Sequence, residues 1–360
     1  MKIKLKNKTF QKLCTDFWSV LSVFYILLCA FVAVFAYVLA PDNSQNANTM
    51  HLSIHSKPPM FSVKMLTLPT AETSFSFINY FVGTEEMKTE IPINQYNIDE
   101  NGIYYTLYPL DNESEKLFIP FSTFPEKNTQ EIVKKYISEK TFWLGTDKYG
   151  RDMLSRMLIG TRISFTIGFV AVFISLFIGT LLGLLAGYYS GKVDAFILWL
   201  INVTWSIPTL LLVIAFTLAL GKGYWQVFVA VGLTMWVEVA RIVRGQTLSV
   251  KNMQYVEAAK VLGFSDFRII FRHILPNIIS PLLVIAASNF ASAILIESGL
   301  SFLGIGAQPP VPSWGGMIKD HYYYIAFGKA YLAIVPGVAI MLLVLSFMLI
   351  ANKLRDIFSS

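Results

Sequence analysis

The residue types that most often carry enzyme chemistry are few in this sequence and lie far apart. The four histidines are His51, His55, His273 and His321, and of these only the first two are four residues apart. Those two precede a Pro-Pro pair in a polar loop, so we expect no metal site there. No nucleophile, base and orienting group can be assembled from the sequence motifs. An enzyme is therefore the functional class that the sequence favours least.

Nucleotide hydrolysis is a second chemistry whose sequence signature is missing. A Walker A loop has the pattern G-x-x-x-x-G-K-[ST], in which the backbone and the lysine hold the phosphates. The nearest stretch, SGKVD, contains Gly191 and Lys192 but lacks the leading glycine and the hydroxyl residue. We expect no bound cofactor, and we expect any ATPase to reside on another chain.

Two acidic residues lie within or next to long apolar stretches, where ionisable groups are functional candidates by default. Glu297 ends an apolar run in ILIESGLSFLG, and it is a candidate for the transport pathway or its gate. Glu238 lies three residues before Arg241. This spacing places both side chains on the same helix face, so it predicts a local ion pair near the membrane interface.

A further group of polar residues interrupts the apolar stretch INVTWSIPTLLLV. Its members would lie at membrane depth, where unsatisfied backbone groups are costly and must be satisfied by neighbours or water. Pro208 predicts a kink in this stretch. Asn202, Trp205 and Pro208 are therefore further candidates for the pathway or its gate.

The composition predicts that membrane-spanning helices position these residues. Of the 360 residues, 54% are hydrophobic and only 14% are charged, and the mean hydropathy is +0.55. A helix needs about 20 apolar residues to cross the hydrocarbon core. Six runs meet this requirement, at approximately 17–39, 163–187, 196–220, 225–242, 278–296 and 331–351. The first run is longer than the apolar part of a signal peptide, so we expect it to span.

The positions of Lys and Arg predict how these helices are oriented. The leader MKIKLKNK is strongly basic. The loop between the fourth and fifth runs sets two acids, Glu257 and Asp266, against six bases, namely Arg241, Arg244, Lys251, Lys260, Arg268 and Arg272. We expect this loop and both termini in the cytoplasm. The net charge of +6 then faces anionic membrane lipid, and we expect no nucleic acid partner.

A stretch of about 120 residues between the first two runs predicts a folded insertion. FSVKML, SFSFINYFVG and GIYYTLYPL predict short strands, and NTQEIVKKYISEK predicts a helix. We assign 41–140 to a small α+β domain outside the membrane. Cys14 and Cys29 lie in or beside the first run, so no disulfide framework is expected in the insertion.

One pattern lies at each end of the second run. WLGTDKYGRDMLSRMLIGTRIS has apolar residues at helical spacing, which predicts a helix lying in the outer membrane interface. Farther along, IGTLLGLLAGYYSG contains Gly179, Gly183 and Gly187. Small residues at this spacing favour close packing of helices, which is the role we expect for the glycines.

The loop QYVEAAKVLGFSDFRIIFRHILPN predicts two short helices joined at a glycine. Tyr255, Ala258, Ala259 and Leu262 share one helix face, and Gly263 suits a left-handed C-terminal cap. Ser265 suits the N-cap of a second helix. That helix repeats the pattern at Phe267, Ile270, Phe271 and Ile274, and Pro276 limits its continuation. These faces can cover the protein's own spans or dock in a groove of a soluble partner, and periodicity leaves both arrangements open.

The same loop resembles the EAA loop of ABC importer permeases. The positions that match the family pattern are Glu257, Ala258, Ala259, Gly263, Leu275 and Pro276. His273 stands where the family usually has Ile, but HILPN resembles the form found in the peptide and nickel branch. LGTDKYGRDMLSRMLIGTRIS, ARIVRGQTLSVK and ESGLSFLGIGAQPPVPSWGGMI also resemble that branch, so the resemblance covers about 215 residues, roughly 141–356.

The resemblance implies an all-α polytopic membrane protein with six transmembrane helices of the type I ABC importer permease fold. It does not cover the extracytoplasmic α+β insertion, which follows the first helix. The divisions that we expect are 1–40, with the N-terminus and first helix, the insertion at 41–140, and a permease core at 141–360 with the coupling loop at about 252–276. Implied ATPase-coupling residues are Tyr255, Glu257, Ala258, Ala259, Leu262, Gly263 and Pro276. Glu297 matches a family glutamate whose expected role is to hold the SFLGIG turn.

The implied function is that of the permease subunit of an ATP-driven importer in a bacterial inner membrane. Its implied partners are a second permease, two cytoplasmic ATP-binding subunits and an external solute-binding protein. Peptides are the first expected substrate, and nickel or another small solute is the alternative. A stand-alone secondary transporter would show intramembrane charge pairs, broken helices and internal repeats. The sequence predicts one kinked span and shows no evident repeat. A membrane-anchored sensor fits six apolar runs poorly.

Overall fold

The computed structural model of the chain describes residues 16–69, 78–84, 89–109, 116–126, 128–221 and 223–359. The basic leader, Cys14 and the first four residues of SFSFINYFVG lie outside them. The described helices and strands are α1 (Phe17–Leu39), β1 (Phe61–Thr67), α2 (Asn79–Val82), β2 (Glu90–Ile98), β3 (Gly102–Leu107), β4 (Leu117–Pro120), α3 (Thr129–Tyr136), β5 (Ile137–Phe142), α4 (Met153–Tyr189), α5 (Gly191–Trp205), α6 (Thr209–Leu220), α7 (Tyr224–Lys251), α8 (Gln254–Val261), α9 (Asp266–Ile269), α10 (Ile279–Leu303), α11 (Trp314–His321) and α12 (Tyr331–Ser359).

Long apolar helices form the membrane part of the described chain. Five of them, α1, α4, α7, α10 and α12, are long and apolar enough to cross a membrane. The pair α5 and α6 meets the same test only when joined, and the two helices are bent by 91°. The described chain thus has five candidate spans, or six when the bent pair counts as one. The predicted fold class is confirmed.

The bent pair corrects one predicted element. The run 196–220 was expected as a single kinked span, but the helix stops at Trp205 and restarts at Thr209. Pro208 lies directly before α6. Because proline has no N–H and its ring clashes with a preceding helical turn, a continuous helix cannot form through this position.

Helix α4 also differs from its prediction. It is a single helix of 37 residues that begins at Met153, where the Asp152 side chain accepts a hydrogen bond from the Ser155 N–H. The stretch that we expected as a separate interfacial helix is the first part of this span, so that prediction is wrong. Arg156 is buried together with Met153 and Met157, because protein rather than solvent covers this end of α4.

Helices α4 and α7 pack closely along a stripe of glycines. A Cβ atom added to Gly179 would lie 2.5 Å from the Cβ of Val239, and one added to Gly183 would lie 2.7 Å from the Cβ of Val243. Gly187 faces α7 in the same way. The absence of side chains lets the two helices approach, so the expected packing role of these glycines is confirmed.

The insertion contains an antiparallel sheet with the strand order β4-β3-β2-β1-β5. Helix α3 covers it, and Ile132 of this helix lies in one apolar cluster with Ile103 of β3. The α+β prediction is therefore confirmed, but two details are wrong. Residues 79–82 form helix α2 rather than strand, and ISEK belongs to β5 rather than to the preceding helix. Strands β2 and β4 were not predicted.

Candidate functional site

The loop at 252–276, called the α8–α9 loop below, forms the predicted pair of helices joined at Gly263. This glycine has a φ of +76°. The Gly263 N–H donates to the Lys260 carbonyl at 3.0 Å, and the Phe264 N–H donates to the Ala259 carbonyl at 3.1 Å. Together these bonds form a Schellman cap, so the predicted left-handed cap is confirmed.

The second helix of the loop is less regular than predicted. It follows Ser265, whose side chain makes no capping hydrogen bond, and it is α-helical only through α9. The chain then forms a π-helical turn and a 3₁₀ turn that contains Pro276. Proline cannot donate the backbone hydrogen bond that an α-helix needs, which is consistent with the change of helix type at this point.

One side of the α8–α9 loop packs on the protein's own spans. Val256 and Ala259 of α8 are buried, as are Ile270 and Ile274 after α9. They belong to one apolar cluster with residues of α4 and α7, namely Leu184, Tyr188, Val239, Val243 and Val250. Burial of these side chains fixes the loop to the inner ends of the two helices.

The other side of the loop is exposed and carries large apolar side chains among charged ones. The exposed fraction is 88% at Val261, 73% at Leu262 and 72% at Phe267. Tyr255 is 44% exposed, and the partial burial of its ring raises the pKa of the phenol. Glu257 and Ala258 are also exposed. An apolar surface of this kind marks a protein contact site.

Of the seven predicted coupling residues, five therefore lie at the exposed surface. They are Tyr255, Glu257, Ala258, Leu262 and Gly263. Ala259 is buried and Pro276 is partly buried, so these two hold the loop in place. Of the two arrangements that periodicity left open, packing on the spans is confirmed, and the uncovered surface keeps docking on a partner a prediction.

Polar contacts fasten the loop to the end of α4. The Tyr188 hydroxyl donates to Asp266 Oδ1 at 2.6 Å. Lys251 Nζ donates to the Tyr188 carbonyl at 2.5 Å and to Ser190 Oγ at 3.2 Å. These bonds connect α4, the end of α7 and the start of α9. Sequence reasoning did not identify Tyr188 or Lys251, because their partners are remote in the chain.

A cavity of about 380 Å³ lies beside the break between α5 and α6. It is bounded by residues on both sides of the break and by α7 and α10, including Thr204, Trp205, Thr209, Thr234, Glu238 and Ser292. Among the predicted pathway residues, Trp205 lines this cavity. Asn202 and Pro208 are exposed but do not line it.

The predicted ion pair between Glu238 and Arg241 is wrong. The Arg241 guanidinium lies over the Trp205 ring, 3.7 Å from its centroid. In the described part of the chain, no ion pair includes Glu238. Stacking on an aromatic face competes with the local pairing that the three-residue spacing had indicated.

A second cavity, of about 590 Å³, lies farther along α7 and α10 toward the end of α12. Glu238 lines it as well, with Gln246, Asn277, Ser280, Ser288 and Arg355 among its other polar residues. The sequence analysis did not identify the polar residues that line these two cavities. The signal that could have revealed them is their helical spacing. Thr234, Glu238 and Gln246 follow one another along α7, and Ser280, Ser288 and Ser292 along α10.

Glu297 is fully buried and lines neither of these cavities. Its Oε1 accepts a hydrogen bond from Ser301 Oγ at 2.6 Å. The same Ser301 Oγ accepts from the Ala307 N–H at 3.1 Å and from Ser313 Oγ at 3.2 Å. The network fastens the SFLGIG turn to the start of α11, which agrees with the expected structural role.

A third cavity, of about 440 Å³, lies where the insertion meets α4 and α11. Buried Arg151 and Arg156 line it. Asp147 Oδ2 accepts from Arg151 Nε at 2.6 Å and lies 3.7 Å from Arg156 Nε. One carboxylate thus holds two guanidinium groups at the base of the insertion. Among the described residues, no group of His, Cys, Asp and Glu is arranged to hold a metal ion.

Comparisons with known proteins place these features in a family. The family model described as "Binding-protein-dependent transport system inner membrane component" matches residues 179–359, which include the α8–α9 loop and most residues of the first two cavities. The chain therefore belongs to this family. It is a multi-pass inner membrane protein and the permease of a binding-protein-dependent ABC importer. Such a permease has no catalytic activity of its own and acts with an ATPase and a binding protein.

Two relatives agree with this membership. The glutathione transport system permease protein GsiD of Pectobacterium atrosepticum is 44% identical over 214 residues, which cover 59% of this chain and 71% of the relative. The oligopeptide transport system permease protein OppC of Escherichia coli is 42% identical over 218 residues, which cover 61% and 72%. A chain of the inward-facing MetNI methionine ABC transporter aligns with a TM-score of 0.48 at 19% identity, over 57% of this chain and 97% of that chain.

Proposed function

We propose that this chain carries peptides across the inner membrane and that the α8–α9 loop receives the force that drives the transport. The observation that carries the proposal is the exposed apolar surface at Val261, Leu262 and Phe267 on a loop whose other side is buried against two spans. The identity to permeases named for glutathione and for oligopeptides supports peptides as the substrate class.

The docking surface for the ATPase consists of α8 and its glycine cap. Tyr255, Ala258 and Leu262 supply apolar contacts, and Glu257 supplies an exposed charge. Nothing lies within 4 Å of a Cβ added to Gly263, so the loop leaves space there for a partner's backbone. A short helix seated by its apolar residues in a groove is a common mode of protein recognition.

Motion of the docked loop reaches the spans through its buried side. Val256, Ile270 and Ile274 cannot move without disturbing the cluster that they share with α4 and α7. The bond from Tyr188 to Asp266 adds a polar connection. In this mechanism, ATP binding closes the ATPase pair, the loop moves as a unit, and the spans change from inward-open to outward-open.

The assembly that we infer has a second permease, two cytoplasmic ATP-binding subunits and an external solute-binding protein. Both termini and the α8–α9 loop lie in the cytoplasm, which places the 41–140 insertion outside. The six bases against two acids between Arg241 and Arg272, at the end of α7 and in the loop that follows it, support this orientation. The permease core is 141–360, and 1–40 holds the N-terminus and α1.

Purification of the tagged protein from its native membranes in mild detergent tests this assembly. We expect mass spectrometry to identify an ATPase with a Walker A motif and a second permease with the wild type. The variant Gly263→Arg should reach the membrane in equal amount but lose the ATPase. Recovery of the wild type alone, still active in peptide uptake after reconstitution, would contradict the proposal, and uptake of nickel but not of peptides would contradict the substrate class.

A further inference from the structure

Glu238 is an ionisable residue near the middle of a membrane-spanning helix. Helix α7 has 28 residues, and Glu238 is 14 residues past its first residue, Tyr224, which corresponds to about 21 Å along the axis. A charge at this depth is costly in hydrocarbon. Such residues therefore face a water-filled cavity or a charged partner and mark paths of ions or substrates.

In the described part of the chain, no base forms an ion pair with this carboxylate, although Arg355 lines the same 590 Å³ cavity. Arg241, the nearest base in sequence, stacks on Trp205 instead. The Glu238 side chain is exposed, and no ion pair in the described residues includes it. Its negative charge is available to a group that is not part of this chain.

Glu238 also lies where two cavities meet. It lines both the 380 Å³ cavity beside the α5–α6 break and the 590 Å³ cavity that extends toward the end of α12. Hydroxyl and amide side chains accompany it on both sides, among them Thr234, Ser292, Ser288 and Gln246. The two cavities thus form a groove along α7 and α10 with polar and apolar lining, in which Glu238 is the acidic lining residue and Arg355 the basic one.

We propose that Glu238 binds the cationic part of the transported solute as it passes through this groove. The inference rests on the proposed function, because an unblocked peptide carries an α-ammonium group and a lysyl peptide carries a second ammonium on its side chain. A carboxylate pairs with an ammonium group through charge-assisted hydrogen bonds, whereas it repels an acidic side chain. Glu238 thereby makes the permease select for positive charge independently of the binding protein.

The test compares two labelled tripeptides, alanyl-lysyl-alanine and alanyl-glutamyl-alanine, in proteoliposomes that contain the complete importer. For each complex, the uptake rate of the lysyl peptide divided by that of the glutamyl peptide gives its preference. The preference of the wild type is then divided by that of Glu238→Gln. Because both complexes use the same binding protein, the preference of the binding protein cancels. We expect the preference for the lysyl peptide to fall about tenfold in Glu238→Gln, the factor that ~1.4 kcal/mol represents. Glu238→Asp should keep the preference within about threefold.

The matched control is Glu257→Gln, which removes an exposed acid from α8. It should slow the uptake of both peptides by the same factor and leave the preference unchanged. An equal preference in the wild type and Glu238→Gln, or an equal shift in Glu257→Gln, would overturn the inference while leaving the proposed function intact. A wild-type complex that takes up neither peptide would overturn the peptide assignment and the ammonium site with it.

Discussion

Two helices of this protein end in the same backbone motif but in opposite surroundings. Helix α8 ends at Gly263 and helix α10 ends at Gly304, with φ angles of +76° and +82°. In each, the N–H after the glycine donates to the carbonyl five residues before it, from Phe264 to Ala259 and from Ile305 to Leu300. Both turns are Schellman caps, and a left-handed residue is required in both.

The surroundings of the two turns differ completely. An added Cβ would meet nothing within 4 Å at Gly263, whereas at Gly304 it would overlap Lys319 Nζ. Two residues after Gly304, a Cβ on Gly306 would lie 2.5 Å from the Ser301 nitrogen and would overlap Ser301 Oγ. The cap therefore specifies only the turn. Packing around it decides whether the turn is locked in place or available to another protein.

The largest effect is expected at the Gly263 turn, which has no close neighbours. Gly263→Arg places a long cation beside the exposed surface of α8, so it blocks docking without a clash inside the chain. We expect peptide uptake to fall on the order of a hundredfold or more, measured in proteoliposomes with the complete importer. The amount of the variant in the membrane should equal that of the wild type.

Gly328→Arg is the matched control for this variant. Gly328 has a φ of +72°, and an added Cβ there also meets nothing within 4 Å. It lies before α12, away from the α8–α9 loop. Both variants carry the same backbone strain of about 1–2 kcal/mol, so uptake near the wild-type rate in Gly328→Arg assigns the loss to docking. Equal losses in both variants would show that strain alone is responsible.

The second largest effect is expected at the Gly304 turn, which its neighbours hold in place. Ser301→Ala removes the hydroxyl that donates to Glu297 and that accepts from Ala307 and Ser313. A buried carboxylate loses a donor, so we expect a loss of about 3 kcal/mol in the free energy of unfolding. Thermal unfolding of the purified protein in detergent measures it. Ser301→Thr, which keeps the hydroxyl, should recover part of the loss, and unchanged stability in Ser301→Ala would contradict the locking role.

Alanine substitutions at Gly306 and Gly263 distinguish steric crowding from backbone strain. Gly306→Ala pushes a methyl group into Ser301, and overpacking of this kind costs about 2 kcal/mol. Gly263→Ala meets no neighbour, so only its left-handed backbone costs about 1 kcal/mol. We expect the thermal unfolding temperature to fall more in the first variant. The reverse order would mean that the surroundings of the two turns are not as different as described.

The smallest change in stability is expected at Leu262. This side chain is 73% exposed, so Leu262→Ala should change the free energy of unfolding by less than about 0.5 kcal/mol. The affinity of the Leu262→Ala protein for the ATPase, measured by titration in detergent, should fall nevertheless. The fully buried Ile274 gives the contrast, because Ile274→Ala should cost about 2–5 kcal/mol. A stability loss at Leu262 as large as at Ile274 would show that the exposed surface is covered by the chain itself.

Run length and hydropathy located the spans but not all of their ends. Helix α4 starts ten residues before its predicted run, and α7 continues nine residues past Ile242. Hydropathy falls where Arg156 and Arg241 enter the sequence, yet the helices continue. Neighbouring elements bury Arg156, and the guanidinium of the exposed Arg241 stacks on the ring of Trp205. These contacts come from residues remote in sequence, so no local window contains them.

The α8–α9 loop was predictable because its motif is local. The spacing in EAAKVLG places Gly263 at the cap, and that conformation is confirmed. Which side of α8 is buried was not predictable, since it depends on where the ends of α4 and α7 meet Val256 and Ala259. The groove at Glu238 was missed for a similar reason. The sequence predicted that Arg241 pairs with Glu238, but Arg241 stacks on Trp205, which belongs to another helix.

Helix α4 is a single rod that joins the two ends of the molecule. Near one end, Ser155 Oγ accepts from the Asp42 N–H at 2.8 Å, at the entry to the insertion. At the other end, Tyr188 holds Asp266 of the α8–α9 loop. The 37 residues between Met153 and Tyr189 correspond to about 55 Å, so a tilt of about 5° around one end displaces the other by about 5 Å. This geometry makes α4 a lever arm, in which a small rotation at the end that contacts the α8–α9 loop becomes a displacement about as long as a helical turn at the end that contacts the insertion.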